Sequence, residues 1–431
     1  MKPNIIILVL DGLRARNLSL YGYPRKFDEN ISKIASESLF FENHFSSSNA
    51  TYPSVTSLFT GKYPINHGIV HTYPWTSQEE IEKLKKNKFW LPIYLRRLGY
   101  DTYLMSLTRL WVKKGFNYVE KEPKKDPYRK INDKKIVRKI IKLFPDWLYV
   151  LIKKIMKRDP ALNILEGREL INSSISKIKE SKKPFFILIH LEDTHYPWPT
   201  TKTPKMKGEK TMKKLSKEIK NKAHKQNIKR MMFNVSATSL EQMEERFNMS
   251  VRYVDKQVGR FYSFLKKEDL LNNSIFIILA DHGESITEHF YLEHGLYDEA
   301  IHVPLVMHLP NIKPKRIKEF VQNIDIVPTI LEFLGEKKIK TDGKSLLNLI
   351  KKGALLRNKI FSFDGGCEKR WCVRNEGKKV IFAANKKCYS CKGEHGEEIE
   401  EYDLIKDPLE LNNIHKDKYE LKEFDPDFKF K

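Results

Sequence analysis

Three apolar segments of this sequence end on side chains that can bind a metal ion. The segments span residues 4–10, 184–192 and 274–280, and each is typical of a buried strand. The carboxylates and imidazoles that follow them are Asp11, Asp193, His195, Asp281 and His282. Ligands of open α/β sheets bind beyond the carboxyl ends of the strands, so we expect these side chains to share one sheet edge. Carboxylates together with imidazoles suit a divalent cation such as Zn²⁺ or Mn²⁺.

The elements that must position these residues alternate along the chain. Residues 29–41 and 89–105 each predict a helix followed by a strand, and residues 250–271 predict a long amphipathic helix before the strand at 274–280. Residues 323–335 predict a further short helix. This alternation predicts an α/β fold with a mostly parallel sheet between helices.

The C-terminal part of the chain differs in character from the rest. From about residue 345 the segments are short and polar, and all four cysteines lie there. We therefore predict a main domain over residues 1–344 and a small α+β subdomain over residues 345–431. Lysine-rich stretches near residues 113–158 and 202–230 are predicted insertions over the main sheet.

The four cysteines form a pattern of their own. Cys367 and Cys372 make a C-x4-C pair, and Cys388 and Cys391 make a C-x2-C pair after a gap of fifteen residues. In an intracellular chain this arrangement favours a structural zinc site in the C-terminal subdomain. Two disulfides are the alternative. Neither interpretation gives these cysteines a role in catalysis.

The composition is that of a globular protein with an excess of positive charge. The chain has 431 residues, 40% of them hydrophobic, and a formal net charge of +24. Such a charge favours contact with phosphate, sulfate, nucleic acid or an anionic membrane surface. The lysines are spread along the whole chain, so a general bias in composition is the preferred explanation. No nucleic-acid partner is expected, because no zinc-finger helix, RNA-binding motif or aromatic-basic strand pattern is visible.

No segment has the pattern of an export signal or of a membrane span. The apolar run at residues 5–10 is only six residues long before Asp11 ends it. The apolar segment 143–156 contains Pro145, Asp146 and two lysines, so it does not suit the interior of a bilayer. It suits packing on its own domain, with peripheral contact to a membrane surface as the alternative. The sequence thus predicts a cytoplasmic protein.

Over nearly its whole length the sequence resembles the alkaline phosphatase and sulfatase superfamily. The order and spacing of several motifs carry this resemblance, and no single one of them would. The motifs are PNIIILVLDGLRARNLSLYGY (3–23), TYPSVTSLFTGKYPINHG (51–68), FFILIHLEDTHYPW (185–198), the helix, strand and DHGE at 252–284, EHFYLEHGLYDEAIHVPLV (288–306) and EEYDLIKDPLELNNI (400–414). The resemblance implies an alkaline phosphatase-like fold, with a mixed, mostly parallel sheet between helices.

The segment at 51–68 resembles the nucleophile loop of sulfatases but departs from it in two places. The family places Cys or Ser, any residue, Pro, Ser and Arg before a short helix. Here Thr51 holds the first position and Val55 holds that of the arginine. Sulfatases convert the first residue into formylglycine, and a threonine cannot yield that aldehyde. Asp11-Gly12 also replaces the pair of adjacent aspartates that many sulfatases show.

Other branches of the superfamily use an unmodified threonine, among them phosphodiesterases and phosphoethanolamine transferases. The hydroxyl of a metal-bound threonine loses its proton more readily and becomes a nucleophile. The resemblance therefore implies a metal-dependent hydrolase that acts on a phosphate mono- or diester, or transfers the phosphoryl group, through Thr51. The alternatives are a sulfuric ester hydrolase and a non-catalytic protein that binds polyanions. The expected partner is an anionic ester: a phosphorylated or sulfated glycan, a lipid headgroup or a small molecule.

The resemblance also implies roles for single residues. The expected cation ligands are Asp11, Thr51, Asp281 and His282. His195 and His294 are expected to bind the transferred group or to protonate the leaving oxygen, or else to hold a second cation together with Asp193. The cofactor is thus one or two divalent ions, with Zn²⁺, Mn²⁺, Ca²⁺ and Mg²⁺ as candidates. The hydroxyl residues Ser54, Thr56 and Ser57 are rival nucleophiles, for which capping and packing of the helix are the preferred roles.

Overall fold

A mixed sheet with helices packed on both faces forms the centre of the fold. The coordinates are those of a computed structural model. It describes residues 2–73, 75–106, 110–120, 167–182, 184–195, 198, 240–286, 288–289, 295–366, 370–383 and 398–416. The insertion predicted at 202–230 lies outside the described residues. Most of the insertion predicted at 113–158, including the segment 143–156, lies outside them as well.

The strands of the described residues are numbered in chain order. They are β1 (Asn4–Leu10), β2 (Leu39–Phe41), β3 (His44–Phe45), β4 (Asp101–Met105), β5 (Tyr118–Val119), β6 (Phe185–Leu191), β7 (Ser274–Leu279), β8 (Leu305–His308), β9 (Lys315–Ile317), β10 (Val321–Gln322), β11 (Ile360–Phe363), β12 (Arg370–Arg374), β13 (Lys378–Ala383) and β14 (Ile399–Asp403).

The α-helices are numbered in the same way. They are α1 (Glu29–Ser36), α2 (Thr51–Thr60), α3 (Pro64–His67), α4 (Gln78–Lys85), α5 (Leu91–Arg97), α6 (Gly167–Glu180), α7 (Leu240–Lys267), α8 (Asp298–Ile301), α9 (Ile326–Phe333) and α10 (Leu347–Lys352). Short 3₁₀ helices span Ala15–Asn17, Ser19–Tyr21, Leu110–Lys113, Leu271–Asn273 and Asn323–Asp325. In the described part of the chain, no helix combines the length and apolarity needed to cross a membrane.

The order of the strands brings the candidate site residues to one sheet edge. The main sheet has the order β5-β4-β6-β1-β7-β8-β2-β9. β1 lies between β6 and β7 and runs parallel to both, whereas β8 runs antiparallel to its neighbours β7 and β2. The carboxyl ends of β1, β6 and β7 therefore share one edge, and the predicted mixed, mostly parallel sheet is confirmed.

The central strand β1 is apolar throughout because helices cover both faces of the sheet. Successive side chains of a strand point to opposite faces. Ile6 and Leu8 accordingly pack on one side with residues of α1, α6 and α7. Ile5 and Ile7 pack on the other side with residues of α2, α5, α9 and α10. This two-sided burial fixes the position of the residue at which β1 ends.

The C-terminal part of the chain forms an antiparallel sheet of its own. Strands β11, β12, β13 and β14 lie side by side in chain order, and α10 precedes them. The sheet contacts the loop before α2, where the N–H of Phe363 donates to the carbonyl of Ser47 over 3.0 Å. The predicted C-terminal α+β unit is thus observed, while its boundary at residue 345 stays a prediction.

Candidate metal centre and nucleophile

Two carboxylates stand at the ends of neighbouring parallel strands. Asp11 directly follows β1, and its N–H donates to the carbonyl of Leu191 at the end of β6 over 2.9 Å. Gly12 comes next with a φ of +73°, so the chain turns sharply away from the strand. Asp281 stands two residues after β7 and is buried, like Asp11. Both carboxylates therefore lie at the edge that the sequence predicts.

Asp11, Asp281 and His282 converge closely enough to hold one metal ion. Each offers a ligand atom within 4.8 Å of the other two, and all three side chains are buried. Nε2 of His282 lies 3.3 Å from Oδ1 of Asp11 and 3.9 Å from Oδ2 of Asp281. Nδ1 of His282 lies 2.8 Å from the carbonyl of Gly283. In the neutral imidazole Nδ1 must donate there, which leaves the lone pair of Nε2 directed at the carboxylates.

The electrostatics of this cluster fit a divalent cation. Among the described residues, Oδ1 of Asp11 and Oδ2 of Asp281 are buried and accept no hydrogen bond. Burial raises the pKa of Asp11 to about 6, and the charge of Asp281 adds to the rise. Burial also raises the pKa of Asp281, but the neighbouring imidazoles, His282 first, outweigh it and hold that pKa below its usual value. Buried carboxylates of this kind need a positive partner, and oxygen ligands with an imidazole suit Zn²⁺ or Mn²⁺.

Thr51 presents its hydroxyl to this cluster. It is the first residue of α2, and its Oγ1 lies 3.1 Å from Nε2 of His282. The positive end of a helix dipole stabilises negative charge at this position. Thr51 is half-buried, whereas Ser54, Thr56 and Ser57 are buried. The structure thus brings the predicted ligands Asp11, Thr51, Asp281 and His282 together, and their ligation of a metal stays a prediction.

The rival hydroxyl groups are engaged in the structure of helix α2. Oγ of Ser54 donates to the carbonyl of Asp281 over 2.6 Å. Oγ1 of Thr56 donates to the carbonyl of Tyr52 over 2.7 Å, in the preceding turn of the helix. These hydroxyl groups hold α2 against the metal cluster and close the helix turn, as packing roles require.

Ser57 forms a buried pair with a histidine, but the direction of the hydrogen bond argues against a nucleophile. Oγ of Ser57 lies 3.0 Å from Nε2 of His67. Nδ1 of His67 accepts the N–H of Ile69 over 3.1 Å. In the neutral imidazole Nε2 then carries the proton and donates to Ser57, so it cannot remove the serine proton. Of these four hydroxyl residues, Thr51 alone faces the metal ligands.

Three predicted site residues remain, and the structure describes two of them, His195 and Asp193. The ring of His195 lies at the same edge, with its centroid 6.3 Å from that of His282. Oδ1 of Asp193 accepts the N–H of Gly167 over 3.1 Å at the start of α6, and its part in holding a second cation stays a prediction. His294 lies outside the described residues, and its role stays a prediction.

The sequence reasoning missed His190, which the structure places between the two carboxylates. Its Nε2 lies 3.4 Å from Oδ2 of Asp11 and 3.5 Å from Oδ2 of Asp281. Burial lowers the pKa of His190, but the charges of both aspartates outweigh it and raise the pKa to about 9. A histidine inside the apolar strand FFILIHL was the available signal, because a buried imidazole needs polar partners.

Val55, which stands where the sulfatase loop has its arginine, lies in apolar surroundings. Val55 lies on the side of α2 that faces the core, where it is buried with Leu58 and Phe59. It brings no positive charge to the metal cluster. The chain therefore lacks, at this position, the arginine of the pattern that the formylglycine modification reads.

Cys372 of the predicted zinc cluster lies in the core of the C-terminal sheet. It is a fully buried free thiol on β12, packed with apolar residues such as Phe45 and Ile381. Burial raises its pKa to about 12, so the thiolate that zinc requires is strongly disfavoured there. The other three cysteines, Cys367, Cys388 and Cys391, lie outside the described residues, and the zinc site stays a prediction.

Known families and solved structures resemble this chain. The Sulfatase family profile matches residues 3–336, and the profile described as N-sulphoglucosamine sulphohydrolase, C-terminal, matches residues 287–425. The arylsulfatase of Clostridium perfringens is 24% identical, over 96% of this chain and 90% of its own. The phosphonate monoester hydrolase of Agrobacterium radiobacter has a TM-score of 0.64 at 19% identity, covering 96% of this chain and 91% of its own. A protein in the alkaline phosphatase superfamily from Vibrio parahaemolyticus has a TM-score of 0.59 at 16% identity, covering 96% and 83%. These structures confirm the predicted alkaline phosphatase-like fold.

Proposed function

Since this chain belongs to the sulfatase family, whose members are hydrolases of the alkaline phosphatase superfamily, we propose that it cleaves phosphate esters with Thr51 as the nucleophile. The observation that carries this proposal is the distance of 3.1 Å between Oγ1 of Thr51 and Nε2 of His282. It places the hydroxyl beside the one cluster of metal-ligand type found among the described residues. The hydroxyl of Ser54 also reaches the cluster, but it donates to the main-chain carbonyl of Asp281 over 2.6 Å.

The residues that would hold the cation are Asp11, Asp281, His282 and Thr51. A divalent cation bound there lowers the pKa of the threonine hydroxyl and offsets negative charge on the non-bridging oxygens of the ester. Asp11 and Asp281 supply the negative charge that binds it, and the hydrogen bond from His282 to Gly283 keeps Nε2 directed inward.

The proposed reaction proceeds in two steps that restore the enzyme. Oγ1 of Thr51 gives up its proton to solvent, attacks phosphorus and forms a bond to it, while the bond between phosphorus and the ester oxygen breaks. That oxygen leaves with the electron pair and takes a proton from His195. Water then attacks phosphorus and gives a proton to His195. The bond to Oγ1 breaks, Thr51 takes a proton back from solvent, and phosphate (from a monoester) or a phosphate monoester (from a diester) is released.

Two features favour a phosphate ester over a sulfate ester. Thr51 cannot be converted into formylglycine, whose hydrate frees itself by expelling sulfate, whereas a phosphothreonine can be resolved by water. Val55 replaces the arginine of the sulfatase loop and is buried in the core. Hydrolysis of a sulfate ester is the second candidate, because the similar protein of Clostridium perfringens is an arylsulfatase.

Turnover of matched aryl esters tests this proposal. The protein, loaded with Mn²⁺ or Zn²⁺, is assayed with p-nitrophenyl phosphate, bis(p-nitrophenyl) phosphate and p-nitrophenyl sulfate. We expect cleavage of at least one phosphate ester, lost by a factor of about 10⁴ or more in Thr51→Ala and largely kept in Ser57→Ala. Cleavage of the sulfate ester that survives in Thr51→Ala would overturn the proposal. Failure on all three substrates without bound metal would favour the polyanion-binding alternative.

A further inference from the structure

An aromatic ledge begins at the residue that follows the candidate nucleophile. The ledge consists of Tyr52, Trp111 and Tyr73. The ring centroid of Tyr52 lies 5.1 Å from that of Trp111 and 6.5 Å from that of Tyr73. Tyr52 and Trp111 are half-buried, whereas Tyr73 is 48% exposed. The ledge therefore runs from the backbone of Thr51 out to solvent.

Hydrogen bonds on two sides hold the ledge against the nucleophile loop. Nε1 of Trp111 donates to Oγ1 of Thr56, one turn into α2, over 2.9 Å. The N–H of Thr72 donates to the carbonyl of Gly365 over 2.7 Å. The N–H of Gly365 in turn donates to Oδ1 of Asn49 over 2.8 Å. Both ends of the ledge are thus anchored to the segment that carries Thr51.

A single exposed aromatic residue needs no explanation in a soluble protein. This one differs, because its ring lies 6.5 Å from that of Tyr52, the residue that follows Thr51 in the chain. Binding sites for small molecules are lined mainly by apolar and aromatic side chains around a few polar groups. The ledge and the metal cluster together have that composition, so the ledge fits an apolar part of the substrate.

The position of the ledge indicates which part of the substrate it contacts. In phosphoryl transfer, the attacking and leaving oxygens lie roughly in line on opposite sides of phosphorus. The leaving group therefore departs on the side away from Thr51. The ledge begins on the residue bonded to Thr51, and so it lies on the flank of the nucleophile. A group on the ledge is then one that stays on phosphorus.

A phosphate monoester carries no such group, whereas a diester carries one. The charge of the site agrees with a diester. The transferred group of a diester bears one negative charge and that of a monoester bears two. The buried Val55 supplies no positive charge that would stabilise the second negative charge of a monoester. Aromatic side chains bind flat rings and the faces of sugar rings by stacking.

We propose that the substrates are phosphate diesters, and that the ledge of Tyr52, Tyr73 and Trp111 binds a ring-bearing substituent that stays on phosphorus during attack by Thr51. This inference rests on the proposed function of Thr51. The shared chemistry of the substituent is a ring face, which an aryl group, a sugar or a nucleoside can supply.

Diesters that share one leaving group test the inference. Methyl, phenyl and thymidine-5′ p-nitrophenyl phosphate all release p-nitrophenolate and differ only in the group that stays. We expect kcat/KM for the phenyl or thymidine ester to exceed that for the methyl ester by about 3- to 10-fold, the range of one stacking contact. This ratio should fall close to 1 in Tyr73→Ala and stay high in Tyr73→Phe. Leu355→Ala, at an exposed apolar position that is not part of the ledge, is the control and should keep the wild-type ratio.

The outcomes separate this inference from the proposed function. A ratio that stays at the wild-type value in Tyr73→Ala would refute the proposed role of the ledge in binding the substituent. An equal loss for all three esters would also overturn it, because the ledge would then contact the shared leaving group. Higher kcat/KM for the phenyl ester than for the thymidine ester would identify an aryl group, and the reverse a nucleoside.

Binding of inhibitors gives a readout that does not need turnover. Phenylphosphonate and methylphosphonate are titrated into the metal-loaded protein, and their Kd values are compared in wild type and Tyr73→Ala. Failure of all three diesters and of p-nitrophenyl phosphate to react, together with tighter binding of phenylphosphonate that Tyr73→Ala abolishes, would refute the proposed function and leave the ledge as a ring-binding site. Equal Kd values for both phosphonates in the wild type would refute the proposed role of the ledge in binding a ring.

Discussion

Oγ1 of Thr51 lies 3.1 Å from Nε2 of His282, although 231 positions separate the two residues in the chain. Helix α2 holds the hydroxyl, and the loop after β7 holds the imidazole. The hydrogen bond from Ser54 to the carbonyl of Asp281 ties these two elements together. The reactive geometry thus depends on the packing of α2 against the carboxyl edge of the sheet.

Replacement of His190 should weaken metal binding. Its imidazole lies 3.4–3.5 Å from one oxygen of each candidate carboxylate ligand, Asp11 and Asp281, so its removal changes the surroundings of both. Residues that orient metal ligands typically contribute 10- to 100-fold to metal affinity. We expect His190→Ala to weaken binding of Zn²⁺ or Mn²⁺ by about that factor, measured by competition with a chromogenic chelator.

A matched histidine provides the control for His190. His308 ends β8 beside Phe276, near the start of β7, and so lies toward the opposite edge of the sheet. Its Nε2 contacts only the carbonyl of Leu271 among the hydrogen bonds observed. His308→Ala should leave metal affinity as it is in the wild type. Equal affinities in all three proteins would show that His190 does not support the metal ligands.

A buried lysine of the C-terminal sheet should contribute strongly to the stability of the fold. Lys379 on β13 is fully buried, and its Nζ lies 2.6 Å from carboxylate oxygens of both Asp298 and Glu410. Burial raises the pKa of Asp298, but the charges of Arg374 and Lys379 outweigh it and lower that pKa. Lys379→Met leaves the buried acid groups without this partner and should cost about 3–5 kcal/mol of unfolding free energy.

Urea unfolding checks this prediction against an exposed ion pair. Nζ of Lys83 lies 3.1 Å from Glu79 on α4, and both side chains are largely exposed. Lys83→Met should change the unfolding free energy by no more than about 0.5 kcal/mol. A similar small effect of Lys379→Met would contradict the role assigned to the buried cluster.

Acid should destabilise the protein through a buried histidine. Burial lowers the pKa of His67 from 6.5 to about 3. The unfolded chain therefore binds more protons than the folded one between these values, so stability falls as the pH drops below 6.5. The expected contribution of His67 is a loss of about 1.4 kcal/mol for each pH unit between pH 6 and 4.

The variant His67→Gln isolates this contribution, because glutamine does not titrate. Urea unfolding is measured for both proteins at several pH values in the presence of a chelator, so that bound metal adds no pH dependence. The slope of stability against pH should be shallower in the variant by about 1.4 kcal/mol per pH unit. Parallel slopes would mean that His67 is protonated equally in both states.

Strand patterns and strand ends were enough to predict the sheet and the carboxylate edge. Asp11 and Asp281 each follow an apolar run, and parallel strands with helical crossovers end at one edge. His190 could not be assigned in this way, because one imidazole in an apolar strand does not reveal which neighbours it meets. Its partners are set by the register of β6 against β1, where it lies beside Val9.

Tertiary contacts also decided the roles of other polar residues. Asp193 stands two residues after its strand, as Asp281 does, yet its Oδ1 accepts the N–H of Gly167 at the start of α6. The ledge joins Tyr52 to Trp111 and Tyr73, which come from separate segments with no shared pattern. Such contacts depend on how loops pack on the sheet, and local patterns do not encode that.

The covalent state of Thr51 during turnover tests the central claim most directly. The metal-loaded protein is mixed with excess bis(p-nitrophenyl) phosphate, quenched in acid within one turnover and digested for mass spectrometry. We predict a p-nitrophenyl phosphate group on Thr51, absent from Thr51→Ala, which should also lose turnover. A phosphate adduct on Ser57 or another residue, or full turnover by Thr51→Ala, would contradict the account.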